Sequence, residues 1–233
     1  MSYEFSDSFE VAQQWANYDP KVAELFDLYC PAHLFTQAAR SDGNLSLTIY
    51  DDKFFGMGFG LNPYWNQEWD ECSVTRRSKT PVPDGYTVDG NWDVYASDTA
   101  PHAQYPLVQT IDDGAEIDSF IDTYAPNSSV RSGDPESLFW GCVRSAEGQL
   151  LSLGTVAKWR SGHHMFASIV TAEVARGKGV GAQLMQGMLS RLHSLGVTRV
   201  GLGVFAANAP AKRLYEKVGF ELLQELRAYD KAR

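Results

Sequence analysis

Residues 175–185, ARGKGVGAQLM, set three glycines at alternate positions, Gly177, Gly179 and Gly181, between two cations and an apolar run. That spacing demands either a sharp turn into a helix or a loop whose backbone cradles a phosphate. The helix that follows is the clearest element of the chain. Val180, Leu184, Met188, Leu192 and Leu195 fall three or four apart, Met185 and Leu189 form the adjoining row, and Gly196 stops the pattern. Residues 197–208, VTRVGLGVFAAN, then return to a period of two. Val200, Leu202 and Val204 share one face, while Gly201 and Gly203 leave the other bare for a close neighbour or a ligand. A second helix is expected over residues 210–218, with Pro210 near its first turn and Ala211, Leu214, Tyr215 and Val218 as its apolar stripe. Gly219 caps it, and FELLQELRAY supplies a last strand.

Upstream, the pattern over residues 8–40 is helical, broken at Asp19–Pro20 and again at Pro31, which predicts two short helices. LSLTIY (residues 45–50) alternates like a strand. The turn-rich stretch KTPVPDGYTVDGN (residues 79–91) is the candidate break between an N-terminal region and the rest. Beyond it, residues 106–111 predict a strand, 112–124 an acid-capped helix, and SLFWGCVR (137–144) a buried strand. GQLLSLGTVAKW and HMFASIVTAEV follow as two more strands in hairpin succession.

Composition narrows the partners. Twenty Lys+Arg against 29 Asp+Glu give a net charge of −9, a field that repels nucleic acids and anionic membranes. The one dense basic stretch, RRSK (76–79), carries no interleaved aromatics and reads as a solvated loop. No apolar run reaches a membrane span, and MSYEFSDSFE lacks both the charged leader and the apolar core of a secretory signal. Cys30, Cys72 and Cys142 are widely separated and odd in number, which fits neither a disulfide framework nor a zinc site. A cytoplasmic protein without a metal is the expectation.

Spacing separates the known phosphate loops. A Walker loop needs a hydroxyl after its lysine, but Gly179 follows Lys178. GKGVGA matches the permissive dinucleotide fingerprint, yet the next strand ends in Ala206, Ala207 and Asn208 without the ribose-binding acid, and too little chain follows for a doubly wound domain. A third form remains, in which successive N–H groups at a helix N-terminus face a pyrophosphate.

IVTAEVARGKGVGAQLM resembles the V-x-x-x-x-x-R-G-x-G-x-G-x-x-L segment of the GNAT superfamily of N-acetyltransferases, and NAPAKRLYEKVGF resembles its N-x-x-A-x-x-L-Y-x-x-x-G-F segment. The likeness covers roughly the last 130 residues. It implies an α+β fold, a mixed, mostly antiparallel twisted sheet flanked by helices, with residues 101–233 as the acetyltransferase domain. Residues 1–100 are not explained by the likeness; they are expected to form an N-terminal α/β extension, a degenerate half-domain, that contributes to the acceptor site.

The resemblance also implies roles. Arg176, Gly177, Lys178, Gly179, Val180 and Gly181 would bind the pyrophosphate of acetyl-CoA, and Ile169, Val170 and Thr171 would pair with its pantetheine arm and polarise the thioester. Asn208 would contact that arm, cap its helix, or both. Tyr215 matches the tyrosine that protonates the departing thiolate, although a core aromatic suits the same position. The implied activity is acetyl transfer to an amine of a small molecule or peptide, by a monomer or homodimer; the alternative is a catalytically silent CoA-binding protein. Candidates for the base are Glu173, His163 and His164. NPYWNQEWDE (62–71) is either an acceptor wall or a core with a solvated edge. FFGMGFG (54–60) repeats the glycine spacing of the loop but lacks its arginine, and reads as a Gly-rich strand or turn.

Overall fold

A computed structural model describes residues 2–105, 107–128 and 130–232. The chain begins with strand β1 (Glu4–Ser6), helices α1 (Phe9–Ala16) and α2 (Pro20–Tyr29), and a meander of β2 (Phe35–Ser41), β3 (Asn44–Asp51) and β4 (Lys53–Phe59). Two loop-linked strands follow, β5 (Glu71–Thr75) and the long β6 (Tyr86–Asp98). The second half repeats this order with helices in place of loops. Strand β7 (Gln109–Ile111), helix α3 (Gly114–Tyr124) and the meander β8 (Ser137–Arg144), β9 (Leu150–Lys158), β10 (His164–Thr171) lead to α4 (Val180–Ser194), β11 (Arg199–Phe205), α5 (Ala209–Lys217) and β12 (Glu221–Lys231).

All twelve strands form one sheet in the order β1-β2-β3-β4-β5-β12-β6-β11-β10-β9-β8-β7. Every pairing is antiparallel except β4 with β5 and β10 with β11. The order is symmetric about the β12–β6 pair, and the two halves exchange their last strands there. β6, which closes the first half in sequence, lies against β11, while β12 lies against β5. This is the expected mixed, mostly antiparallel α+β fold, and the N-terminal extension has the strand order of a half-domain.

Residues 35–41 depart from the expected helical pattern. Pro31 ends the helical run, and Ala38 and Ala39 are buried within strand β2. The turn-rich 79–91 stretch is loop only to Gly85, because β6 already starts at Tyr86 and pairs with β12 along its length. The strand expected over residues 106–111 is strand at Gln109–Ile111, and Pro106 lies outside the described residues. The strand expected through Val174 stops at Thr171, where Glu173–Ala175 form a single 3-10 turn. Leu195 leaves the apolar stripe of α4 as an exposed C-cap.

Capping follows the local sequence. Ser8, Asp19, Asp113 and Asn208 each accept a backbone N–H at the start of α1, α2, α3 and α5. The apolar faces of α1 and α2 pack on Leu45, Leu47, Met57 and Phe59 and reach the central strands at Val94 and Leu226. On the other face, α4 and α5 cover Tyr95, Val156, Phe166 and Leu202.

The central pair carries a buried charge cluster. Asp93 on β6 has no solvent exposure and pairs with both Arg76, just after β5, and Lys212 on α5. Arg76 also bonds Glu225 at 3.1 Å and the Trp92 carbonyl at 3.1 Å. The expectation of a solvated RRSK loop therefore fails at Arg76, whose guanidinium is held by partners distant in sequence. A second hub, Arg199, makes two hydrogen bonds to Glu24 of α2, at 2.7 and 2.9 Å, and also pairs with Asp98 and Glu221.

Candidate active site

The glycine loop connects the 3-10 turn to α4. Gly177 and Gly179 have φ of +73° and +81°, with open space where a side chain would project, so both the backbone and its clearance depend on glycine. Gly181 lies at the start of α4, and a Cβ there would sit 3.1 Å from Leu214. Among the described residues, the N–H groups of Gly177, Gly179, Val180, Gly181 and Ala182 find no acceptor within the chain. They form a row of donors at the positive end of a fifteen-residue helix. Arg176 flanks the row, its Nε donating to the Thr171 carbonyl at 3.1 Å.

Strands β10 and β11 separate directly beside this loop. They pair only at Met165 with Gly201 and Phe166 with Leu202. Beyond that point β10 carries an irregularity against β9 between Ala167 and Val170, and Ser168 adopts φ of +49°. A cavity of about 630 Å³ runs from the parted strands to the loop. Of the residues expected to bind the cofactor, Ile169, Val170, Thr171, Arg176, Gly177, Gly179, Val180, Gly181 and Asn208 line it. Lys178 does not: as the residue between two left-handed glycines it is exposed and stands outside the lining.

Tyr215 projects from α5 with its ring 7% exposed, and burial pushes its hydroxyl up to about 12. It lines the first cavity and also a second one of about 680 Å³ on the other side of the gap. Ile169 and Asn208 are shared in the same way. Asn208 caps α5, its Oδ1 accepting from the Ala211 N–H at 3.2 Å, and still borders both cavities. The second cavity takes Tyr29, Ser73, Trp92 and Val94 from the first hundred residues.

The remaining candidates separate. Glu173 is exposed and sits 3.7 Å from Arg176. His163 and His164 open β10 but line neither cavity; burial, then the charges of Lys158 and His163, lower the His164 pKa. Trp65 and Trp69 are buried with Tyr86 and Tyr229, so the 62–71 stretch is a core and not a cavity wall. FFGMGF is strand β4. Its Gly56 exists because a Cβ there would overlap the Trp69 indole. Sequence reasoning missed two cations of the first cavity, Arg213 and Lys217. Their i, i+4 spacing on α5 was legible as a shared face, but the patterning of the apolar stripe drew attention to the opposite side.

The acetyltransferase (GNAT) family model matches residues 102–220, and the chain belongs to that family. No curated protein matches it in sequence. Among solved structures it is similar to a GCN5-related N-acetyltransferase from Sphaerobacter thermophilus, with a TM-score of 0.58 and 13% identity, covering 98% of this chain and 95% of that one. A GCN5-related N-acetyltransferase from Kribbella flavida gives 0.56 and 14%, with 96% of each chain covered. A GNAT-family protein from Novosphingobium aromaticivorans DSM 12444 gives 0.54 and 21% over 70% of this chain and 75% of its own. The first two likenesses extend the shared fold across both halves of the sheet. Among the described residues no helix is long and apolar enough to cross a membrane, and no group of three or more His, Cys, Asp or Glu side chains is arranged to hold a metal.

Proposed function

We propose that the chain is an N-acetyltransferase that uses acetyl-CoA and acetylates an amine of a small molecule or peptide. The observation that carries this reading is the meeting of two cavities at Ile169, Asn208 and Tyr215, one of them ending on a row of free N–H donors. The loop residues Gly177, Gly179, Val180 and Gly181 suit a pyrophosphate, and Arg176, Arg213 and Lys217 add cations along the same cavity. Lys178 would contribute only through long-range charge.

Acetyl-CoA would supply an acetyl thioester; the neutral amine would attack its carbonyl carbon, the C–S bond would break, and the surplus proton on nitrogen would pass to the thiolate or to water, giving the amide and the CoA thiol. The backbone of β10 beside its irregularity, Ile169 to Thr171, borders the gap, which supports its pairing with the pantetheine arm. Tyr215 is protonated throughout the neutral range, as any tyrosine of ordinary or raised pKa is, and it donates a hydrogen bond to the departing sulfur. No carboxylate, histidine or lysine among the described residues lines the second cavity, so the ammonium gives its proton to water before the amine enters. The expected kcat/KM therefore rises with unit slope in pH up to the pKa of the amine itself.

Thermal unfolding with acetyl-CoA, CoA and NAD in parallel tests the cofactor. At 100 times its dissociation constant a ligand adds about 2.7 kcal/mol, a rise of roughly 5–10 °C for a chain of this size. A rise with acetyl-CoA and none with NAD supports the reading, and no response to saturating acetyl-CoA rejects it. Tyr215→Phe should then lower the rate by roughly 10²-fold or more while acetyl-CoA still binds. An unchanged rate would remove Tyr215 from the chemistry.

A further inference from the structure

We infer that the acceptor is an amine with an apolar, aromatic-sized body and no second charge. This rests on the acetyl-transfer reading above and names its substrate class. The second cavity is the side of the gap left to the acceptor, because the first holds the loop and its cations. Among the described residues its lining contains no Asp, Glu, Lys, Arg or His. Aromatic side chains line it instead, beside the uncharged polar Ser73, Asn127, Ser128, Ser168 and Asn208. Trp92 and Phe205 stack with centroids 3.9 Å apart, Tyr29 and Trp159 meet edge to face at 5.3 Å, and Tyr124 and Phe166 complete the wall.

Such a lining selects by what it lacks. An ammonium, carboxylate or guanidinium on the body of the acceptor would leave water without gaining an opposite charge, so polyamines, amino acids and peptide lysines with charged neighbours are disfavoured. A flat hydrocarbon or aryl body replaces water against aromatic faces and gains on transfer. The floor is open for it. Gly203 lines the cavity, and a Cβ built there meets nothing within 4 Å. In sequence this was the bare glycine face of β11. Its other glycine, Gly201, is filled by Met165, whose sulfur would lie 2.8 Å from a Cβ. Only Gly203 is left facing the void.

The test uses the full chain with acetyl-CoA and follows thiol release with 2-phenylethylamine, phenylalanine, spermidine, glucosamine and a lysine peptide. We expect kcat/KM for 2-phenylethylamine to exceed that for phenylalanine and spermidine by roughly 100-fold. Equal or better turnover of either charged amine overturns the inference and leaves acetyl transfer standing. Gly203→Val provides the second arm, since its side chain enters the cavity and no residue of the first. It should raise KM for 2-phenylethylamine by about 10-fold with acetyl-CoA affinity unchanged; an unchanged KM overturns the placement. If acetyl-CoA binds but no amine reacts, the acetyl-transfer reading fails separately. Intrinsic tryptophan fluorescence of the full chain, compared with Trp92→Phe, then decides the cavity: a response to 2-phenylethylamine and not to spermidine that Trp92→Phe diminishes supports the inference, and any other pattern rejects it.

Discussion

The two halves of the sheet lay out the same strands in the same order, yet only one opens. β4 and β5 hold four register pairs, Phe55 with Glu71 through Gly58 with Val74, whereas β10 and β11 hold two and then part. In the open half the connection between them is the glycine loop and α4. In the closed half it is the aromatic segment around Trp65 and Trp69, with no helix. The Trp69 indole lies on Gly56, donates to Thr48 Oγ1 at 2.8 Å and fills the face that α4 covers in the other half. A topology of this kind makes a ligand gap only where a helix N-terminus stands beside strands that separate. Large side chains in that place turn the same strands into a core.

The seam between the halves offers the largest effect. Asp93 touches Arg76 beside β5 and Lys212 on α5, so it ties the closed half to the helix that carries Tyr215. Asp93→Ala leaves the partly buried Lys212 without its carboxylate and Arg76 with Glu225 alone, a loss of about 3 kcal/mol or more. Melting should drop by roughly 10 °C or more as a single transition. Two separated transitions would show that the halves unfold independently and would break the comparison at its root.

A matched pair of valines sharpens it next. Gly56→Val in the closed half drives a side chain into Trp69 and should lose about 1–3 kcal/mol, while Gly203→Val in the open half should stay within about 0.5 kcal/mol. Chemical denaturation of the two variants measures the difference directly. Comparable losses would mean that Gly203 faces a packed surface.

Gly179→Ala acts on the loop alone. Its φ of +81° is strained for alanine, at about 1 kcal/mol, and the reshaped loop should weaken acetyl-CoA binding more than it lowers melting. Titration calorimetry beside a melting curve separates the two effects.

These contrasts explain how much was legible in the sequence. The open half announces itself, because a loop that exposes N–H groups needs glycines at fixed spacing and an amphipathic helix at once, as Gly177 to Leu192 show. The closed half reads poorly. Gly56 shares the glycine spacing of the loop, and although the missing arginine argues against a phosphate site there, its use is seen only when Trp69, thirteen residues on, lies against it. Arg76 looks solvated because its partners Asp93 and Glu225 arrive through sheet pairing. The second cavity was invisible for the same reason: Tyr29, Trp92 and Phe205 come from three elements, Trp159 from the loop after β9, and they share no sequence period. Arg213 and Lys217 were readable as a pair on one helix face, but not that this face borders the loop cavity.

Alkaline pH gives the most gradual effect, absent below pH 10, and the one most particular to the open half. Burial raises Tyr215 to about 12, and burial with the Glu216 hydrogen bond raises Tyr95, which carries that bond at 3.2 Å, to about 12 as well. In the unfolded chain both ionise near 10. A raised folded pKa favours the neutral, folded form, so the contribution is complete below about pH 10 and is lost as pH climbs toward 12. Each such tyrosine adds up to roughly 1.4 kcal/mol per pH unit to the slope within that window. Tyr215→Phe carries no proton to lose, so its stability should fall less steeply than that of the parent between pH 10 and 12, while the two curves run parallel from pH 7 to 9. Equal slopes above pH 10 would mean that Tyr215 is solvated in the folded chain, and water at the junction of the two cavities would then compete with its hydroxyl for the departing sulfur.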